Sequence, residues 1–547
     1  MNFQKFTPLA LTIGALICAS SVMASEAKFE HFSYQGKAEV KAESGQYTNP
    51  IIPGYYPDPS ITRVGDDYYL TNSSFAYFPG LPIFHSKDLV NWQQIGNAFD
   101  RHQQFDLTNA MSSRGIFAPA ISYHDGLFYL VSTCVECNGP FFNNFVMTAK
   151  DPAGPWSDPV SLGFAGIDPS IFWDDNGKAY ILHNDDPIGG SQYDGHKAIW
   201  MQEFDPETLS MVGERVQVIN GGSDLAHKPF WIEGPHIFKK DDFYYLIAAE
   251  GGTQENHSEV VFRARDVKGP YQSYPHNPIL TQRTLTNPTV ANIGHADIVQ
   301  AADGSWWSVF LGVRPYDNAG NFNTGRETFL LPVEWKDGWP VILQQGKSVP
   351  LVHDVPFAGE ASVNGSAITY EENFEGKALD MRWISLRNPQ DNAYQLQDGA
   401  LILHSDGKLG EQNQVPAFVG IRQQNLAATI TTSLQFSPDT NGEQAGLVAI
   451  QSDQSLLFFG IGQQDGQPVV MVSSRANSEQ DVVAKMAPVS SDSVELTMAI
   501  ENGRMTFSYS VDGKPQTLLK DFDTRFLSTT QAGGFVGTVI GPYYFKP

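Results

Sequence analysis

Cysteine, positive charge and long apolar runs are all scarce in this chain of 547 residues. Cysteine occurs only at Cys18, Cys134 and Cys137. Nothing near Cys134-Val135-Glu136-Cys137 completes a zinc site. Without a thioredoxin-like context the pair reads as a structural disulfide ring of an oxidising compartment. Lysine and arginine total 35 against 60 acidic residues, a formal charge of -25. Phosphate backbones are held by Lys and Arg patches, so the balance argues against a nucleic-acid partner. An acid excess is compatible with neutral ligands such as sugars, and by itself means solubility.

The apolar run at residues 9–19 is too short to span a bilayer, and no later stretch is a candidate. Lys5 precedes the run, and Val22-Met23-Ala24 ends it with a small residue. Residues 1–24 therefore read as a secretory signal peptide. Bulky Ile17 before Cys18 argues against lipoprotein processing. The expectation is a periplasmic or secreted protein with no membrane attachment after cleavage. Its length calls for two or more domains.

What the chain does contain is one stretch repeated five times: Asp58-Pro59-Ser60-Ile61, Ala118-Pro119-Ala120-Ile121, Asp168-Pro169-Ser170-Ile171, Glu233-Gly234-Pro235-His236-Ile237 and His295-Ala296-Asp297-Ile298. Each Ile is followed, across a polar turn, by an aromatic: Tyr69, Tyr129, Tyr180, Tyr245 and Trp307. The unit is strand, tight turn, strand. Asn176-Gly177, in the third turn, reads as a type I′ hairpin rather than part of a calcium loop. An all-β unit of this size with variable insertions predicts a five-bladed β-propeller. Its inner strands line a central channel, so the residues at their starts face the axis together. Those residues are Asp58, Ala118, Asp168, Glu233 and His295. A single Asp-Pro is usually a turn. Three acids at equivalent starts are better explained by chemistry, because like charges so placed repel and raise one another's pKa.

Residues 25–48 read as a flexible leader or a strand on the outside of the domain, and 49–343 as the propeller. Residues 344–370 read as a linker. Residues 371–547 alternate as a second all-β domain, a two-sheet sandwich, with strands at Ala400-Leu401-Ile402-Leu403, Val494–Ile500 and Met505–Val511.

At these motifs the chain resembles glycoside hydrolase family 43. Tyr56-Pro57-Asp58-Pro59-Ser60-Ile61 looks like the family's opening strand. Phe78-Pro79-Gly80-Leu81-Pro82-Ile83-Phe84-His85-Ser86 resembles its β-xylosidase and α-L-arabinofuranosidase branch. Gly166-Ile167-Asp168-Pro169-Ser170 and Ile232-Glu233-Gly234-Pro235-His236 match its other acid motifs. Leu379-Asp380-Met381-Arg382-Trp383 looks like the concanavalin-like sandwich appended to its xylosidases. The resemblance implies a five-bladed propeller that hydrolyses glycosidic bonds with inversion. Asp58 would be the general base, Glu233 the general acid, and Asp168 the residue that orients the acid and raises its pKa. His295 and Arg314 would line the pocket floor, with Arg314 binding sugar hydroxyls or restraining Asp58. Phe75 and Phe117 are candidates to stack on a sugar, as are Tyr77 and Phe78. Phe117 stands where many members carry Trp. No cofactor is required; some members hold calcium near the channel, which makes His295 a candidate ligand.

Inverting hydrolysis needs one protonated carboxyl for the leaving oxygen and one carboxylate for water on the opposite face, about 6.5–9.5 Å apart. The expected activity is removal of xylose from the non-reducing ends of xylo-oligosaccharides. The near rival is an α-L-arabinofuranosidase acting on arabinoxylan. A non-catalytic carbohydrate-binding propeller is the rival of another class, and it would have no need of all three acids.

Overall fold

Apolar alternation bounded by Gly and Asp turns gives strands throughout. A computed structural model describes residues 26–137, 143–356, 367–404 and 407–547; the expected signal peptide lies outside them. Five antiparallel sheets form the blades of a propeller. Their inner strands are Ser60–Val64, Ala120–His124, Ile167–Trp173, Glu233–Lys240 and Ala291–Gln300. Each meets the next in order, and the fifth returns to the first, closing the ring. Apolar clusters fill the wedges between blades. One joins Leu182 and Ile199 of the third to Leu246 and Val260 of the fourth. Another joins Tyr68 and Leu70 of the first to Trp307 and Val309 of the fifth.

The fifth blade has three strands of its own, Ala291–Gln300, Trp306–Val313 and Glu327–Pro332. Its outer edge is covered by the start of the propeller segment. Ile52 bridges Thr328, and Asn49 accepts the Leu330 N–H at 2.9 Å while donating to its carbonyl at 2.9 Å. This pairing satisfies an edge that would otherwise present open backbone groups.

The turns follow their residues. Asp125 and Gly126 both have positive φ (47° and 82°) between the paired residues His124 and Leu127. That is the type I′ geometry. The turn at Asn176-Gly177 is different and corrects the expectation. Only Gly177 is left-handed, and its N–H bonds to the Asp174 carbonyl at 3.0 Å. The loop is longer than two residues, so a type I turn followed by a left-handed glycine closes it.

The second domain is a sandwich of an eight-stranded and a seven-stranded sheet. The expected strands at Ala400–Leu403, Ser493–Glu501 and Arg504–Val511 are present. The leader, however, is neither flexible nor external. Strand Ala27–Gly36 lies within the eight-stranded sheet, between Ala400–Leu403 and Ala427–Gln435. Phe29, Phe32 and Tyr34 are fully buried in the sandwich interior. Burying such side chains stabilises by about 1.5–3 kcal/mol each, enough to order a segment whose local pattern is weak. The expected linker also holds strand: Val352–Asp354 pairs with Gln46–Thr48.

The two domains share a core. Phe105, Phe128 and Phe145 of the propeller pack in one cluster with Ile384, Phe458 and Tyr543 of the sandwich. Arg387 of the sandwich, fully buried, donates to the Ala110 carbonyl at 3.0 Å and to Asp453 at 2.6 Å.

Candidate active site

The inner strands do not simply point their first residues at the axis. Asp58, Asp168 and His295 sit in left-handed backbone, with φ of 53°, 56° and 51°. Next to Glu233 it is Gly234 that is left-handed, at 57°. Pairing slips between Ile167 and Ser170, between Glu233 and His236, and between Gly294 and Asp297. These bulges bend the strand starts and re-aim their side chains. At Gly234 a side chain is excluded twice over, since a Cβ there would lie 2.9 Å from His295 Nε2.

The outcome is a hollow of about 350 Å³ lined by Asp58, Asp168, Glu233 and His295, with Phe75 and Phe117 in its wall. Ala118, the apolar member of the repeat position, also lines it and keeps space open. All three acids are buried, at 5–6% exposure. Ligand atoms of Asp168, Glu233 and His295 lie within 4.8 Å of one another.

Asp58 is held as a carboxylate. Arg326 Nη1 lies 3.0 Å from its Oδ1 and Nη2 3.4 Å from its Oδ2, while Ser73 donates to Oδ2 at 2.5 Å. Burial opposes the charge, but Arg326, His295 and Ser73 outweigh it and keep the carboxyl below its ordinary range. Glu233 is held differently. Trp231 donates its indole N–H to Oε2 at 2.6 Å. Burial pushes Glu233 up to about 7 against that bond, and the charge of Asp58 adds to the rise. Asp168 is raised well above the carboxylate range by burial, then by Glu233 and Asp58, against a bond from the Gly234 N–H. Two carboxyls sharing a dry site titrate as a pair. The Asp168–Glu233 pair therefore keeps a proton near neutrality while Asp58 stays ionised. Burial also lowers His295 to about 4, leaving it a neutral hydrogen-bonding group.

Calcium takes about six to eight oxygen ligands. Asp168, Glu233 and His295 offer two carboxylates, one already bonded to Trp231, and an imidazole. These residues do not fit that ion, and no step below passes through a metal.

Arg314 is not in the pocket. Its Nε and Nη2 pair with Glu327 at 2.6 and 2.7 Å, its Nη1 with Glu39, and Nη2 also donates to the Gln424 carbonyl at 2.9 Å. Register pairs Gly312 with Glu327, which brings Arg314 beside that buried carboxylate. The guanidinium that restrains Asp58 belongs to Arg326. Tyr77 and Phe78 also leave the sugar-stacking role. Tyr77 is fully buried against Tyr55, and Phe78 packs on Phe99 and His102.

Among the residues of the site that carry no repeat signal are Trp231, Arg326 and Phe535. Phe535 comes from the sandwich. It stacks on Phe75 with centroids 6.0 Å apart, meets Phe117 edge-on, and shares Arg326 with Phe75. Ser113 of the propeller accepts its N–H at 2.9 Å. The second domain thus supplies part of the pocket wall. Cys134 and Cys137 form the expected disulfide in the second blade.

A model described as glycosyl hydrolases family 43 matches residues 47–340. A model described as the beta xylosidase C-terminal concanavalin A-like domain matches residues 371–547. The chain is 38% identical to a xylosidase/arabinosidase of Butyrivibrio fibrisolvens, over 90% of this chain and 95% of that protein. It is 37% identical to a non-reducing end alpha-L-arabinofuranosidase of Bacteroides ovatus, over 92% of each. Among solved structures, a GH43_12 protein retrieved from a capybara gut metagenome superposes with a TM-score of 0.89 at 38% identity, covering 95% of this chain and 99% of that one. The protein is therefore a glycoside hydrolase: it belongs to glycosyl hydrolase family 43, among its xylosidases and arabinosidases, and bears their concanavalin A-like C-terminal domain.

Proposed function

We propose that the protein is an exo-acting, inverting β-xylosidase that removes single xylose units from the non-reducing ends of xylo-oligosaccharides. The observation that carries this reading is the split in charge state among the acids. Asp58, forked by Arg326, is suited to draw a proton from water as general base. Glu233, buried beside Asp168 and raised to about 7, is suited to protonate the leaving oxygen as general acid. Asp168 acts on Glu233 rather than on the sugar: the two buried carboxyls resist a second negative charge, so the pair retains the proton that Glu233 would donate. A small hollow walled by Phe75, Phe117 and Phe535 supports release of one terminal sugar at a time. His295, neutral and buried, is placed to hydrogen-bond a sugar hydroxyl.

The second reading is α-L-arabinofuranosidase action on arabinoxylan, favoured by the similarity to the Bacteroides ovatus protein. Rates on 4-nitrophenyl β-xyloside and α-L-arabinofuranoside separate the two. NMR of the first-formed sugar from xylobiose tests inversion: appearance of the β-anomer first would reject it. Export to the periplasm or medium belongs to the same proposal. It is supported by the leader pattern of residues 1–24 and by the disulfide, and fractionation of cells expressing the full chain tests it.

A further inference from the structure

Asp58, Asp168 and His295 are left-handed without being glycine, a strained conformation that persists only where neighbouring structure holds it. The blades are separate sheets, so no backbone ladder sets the spacing between their strand starts. Two residues beyond each strained position stands a buried polar side chain: Ser60, Ser170 and Asp297. None of the three lines the hollow. Each reaches to a neighbouring blade instead. Ser60 donates its hydroxyl to Asp297 Oδ2 at 2.9 Å and accepts the Ile121 N–H at 3.1 Å, tying the first blade to the fifth and the second. The Ile61 N–H donates to the same Oδ2 at 2.9 Å. The Ile298 N–H donates to Oδ1 at 2.8 Å, and His236 of the fourth blade lies 3.5 Å from that atom. Ser170 donates to the Pro235 carbonyl, two residues past Glu233, tying the third blade to the fourth. Behind the fifth strand, fully buried Glu259 accepts the Ala296 N–H at 2.9 Å. A layer of polar bonds thus crosses from blade to blade, one step along the strands from the acids.

We propose that Ser60, Ser170 and Asp297 are positioning residues for the reaction: Ser60 and Asp297 set where the base Asp58 stands, and Ser170 sets where the Asp168–Glu233 pair stands. The proposal rests on the assignment of base and acid above and extends it to the groups that fix their separation. Inversion places a water between sugar and base, so the two carboxyls must keep a spacing of about 6.5–9.5 Å. A displacement of about 1 Å in either one can cost about 10²-fold in rate.

The test compares 2,4-dinitrophenyl and phenyl β-xylosides, with the matching α-L-arabinofuranosides in parallel. Dinitrophenolate leaves without needing a proton, so a displaced acid spares that substrate, whereas a displaced base slows both. Ser60→Ala and Asp297→Asn should each lower kcat about tenfold on both leaving groups, with KM within about twofold of wild type. Ser170→Ala should lower kcat about tenfold on the phenyl glycoside and less than about threefold on the dinitrophenyl one. Circular dichroism at the assay temperature checks that each variant is folded, and Ser60→Ala carries the test of the base should Asp297→Asn fail to fold. Wild-type kcat in the folded variants, a change confined to KM, or one pattern of loss common to all of them overturns the proposal and leaves the glycosidase reading standing. Absence of turnover by the wild-type protein on every one of these glycosides would instead sink the glycosidase reading, and the proposal with it.

Discussion

Arg326 forks the carboxylate of Asp58, Nη1 to Oδ1 at 3.0 Å and Nη2 to Oδ2 at 3.4 Å, and both side chains are buried. Without that guanidinium, burial would push Asp58 upward. Replacing it in Arg326→Met should lower kcat/KM by about 10²–10³-fold. The acid limb of the pH–rate profile should move to higher pH, because the base would protonate sooner. Arg326→Lys keeps the charge but loses the fork, and should fall between the two. An acid limb that stays in place in Arg326→Met would reject this assignment of the base.

Glu233→Gln should reduce kcat by about 10²–10⁴-fold, the usual contribution of a general acid. The same change should stabilise the fold in mild alkali. The folded-state pKa, about 7, lies above the ordinary 4.5. Stability tied to the protonated form is therefore complete below about pH 4.5 and is lost as pH rises through 7. At pH 8 the variant should exceed the wild type by on the order of 1–3 kcal/mol, and at pH 4 the two should match. Thermal unfolding at both pH values measures this.

Trp231→Phe keeps the ring and removes the bond to Glu233 Oε2. That bond favours the ionised acid, so its loss should raise the pKa of Glu233 and move the alkaline limb of the profile upward. Misplacement of the carboxyl should cost about tenfold in kcat. A lower kcat with an unmoved alkaline limb would make Trp231 a packing residue and no more.

Arg314→Met separates the two arginines. It leaves Glu327 and Glu39 buried or half-buried without their cation and should cost about 3–5 kcal/mol of stability. The folded variant should keep nearly all of its kcat/KM, since Arg314 does not line the hollow. A melting temperature close to wild type, or a large loss of kcat at low temperature, would contradict this.

Much of the fold was legible because its signals are local. The Ile-to-aromatic hairpins mark the inner edge of every blade, and the Asp-Gly turns end where their residues require. The leader was misjudged for the opposite reason. Ala27–Gly36 has a weak pattern of its own and becomes a strand because the sandwich supplies partners on both sides. Arg314 and Arg326 flank strands of the same blade and each is followed or faced by acid. Nothing in their neighbours reveals which one faces Asp58; the strand register decides it.

The chain's own order of residues was enough to establish an all-β propeller with three acids at equivalent strand starts, because repetition and alternation are properties of consecutive residues. Tertiary structure alone decided how those acids are charged and what surrounds them. The fork from Arg326 and the wall from Phe535 join segments far apart along the chain, the indole bond from Trp231 depends on how the backbone turns into Glu233, and burial, which sets the cost of each charge, exists only once all of them have packed together.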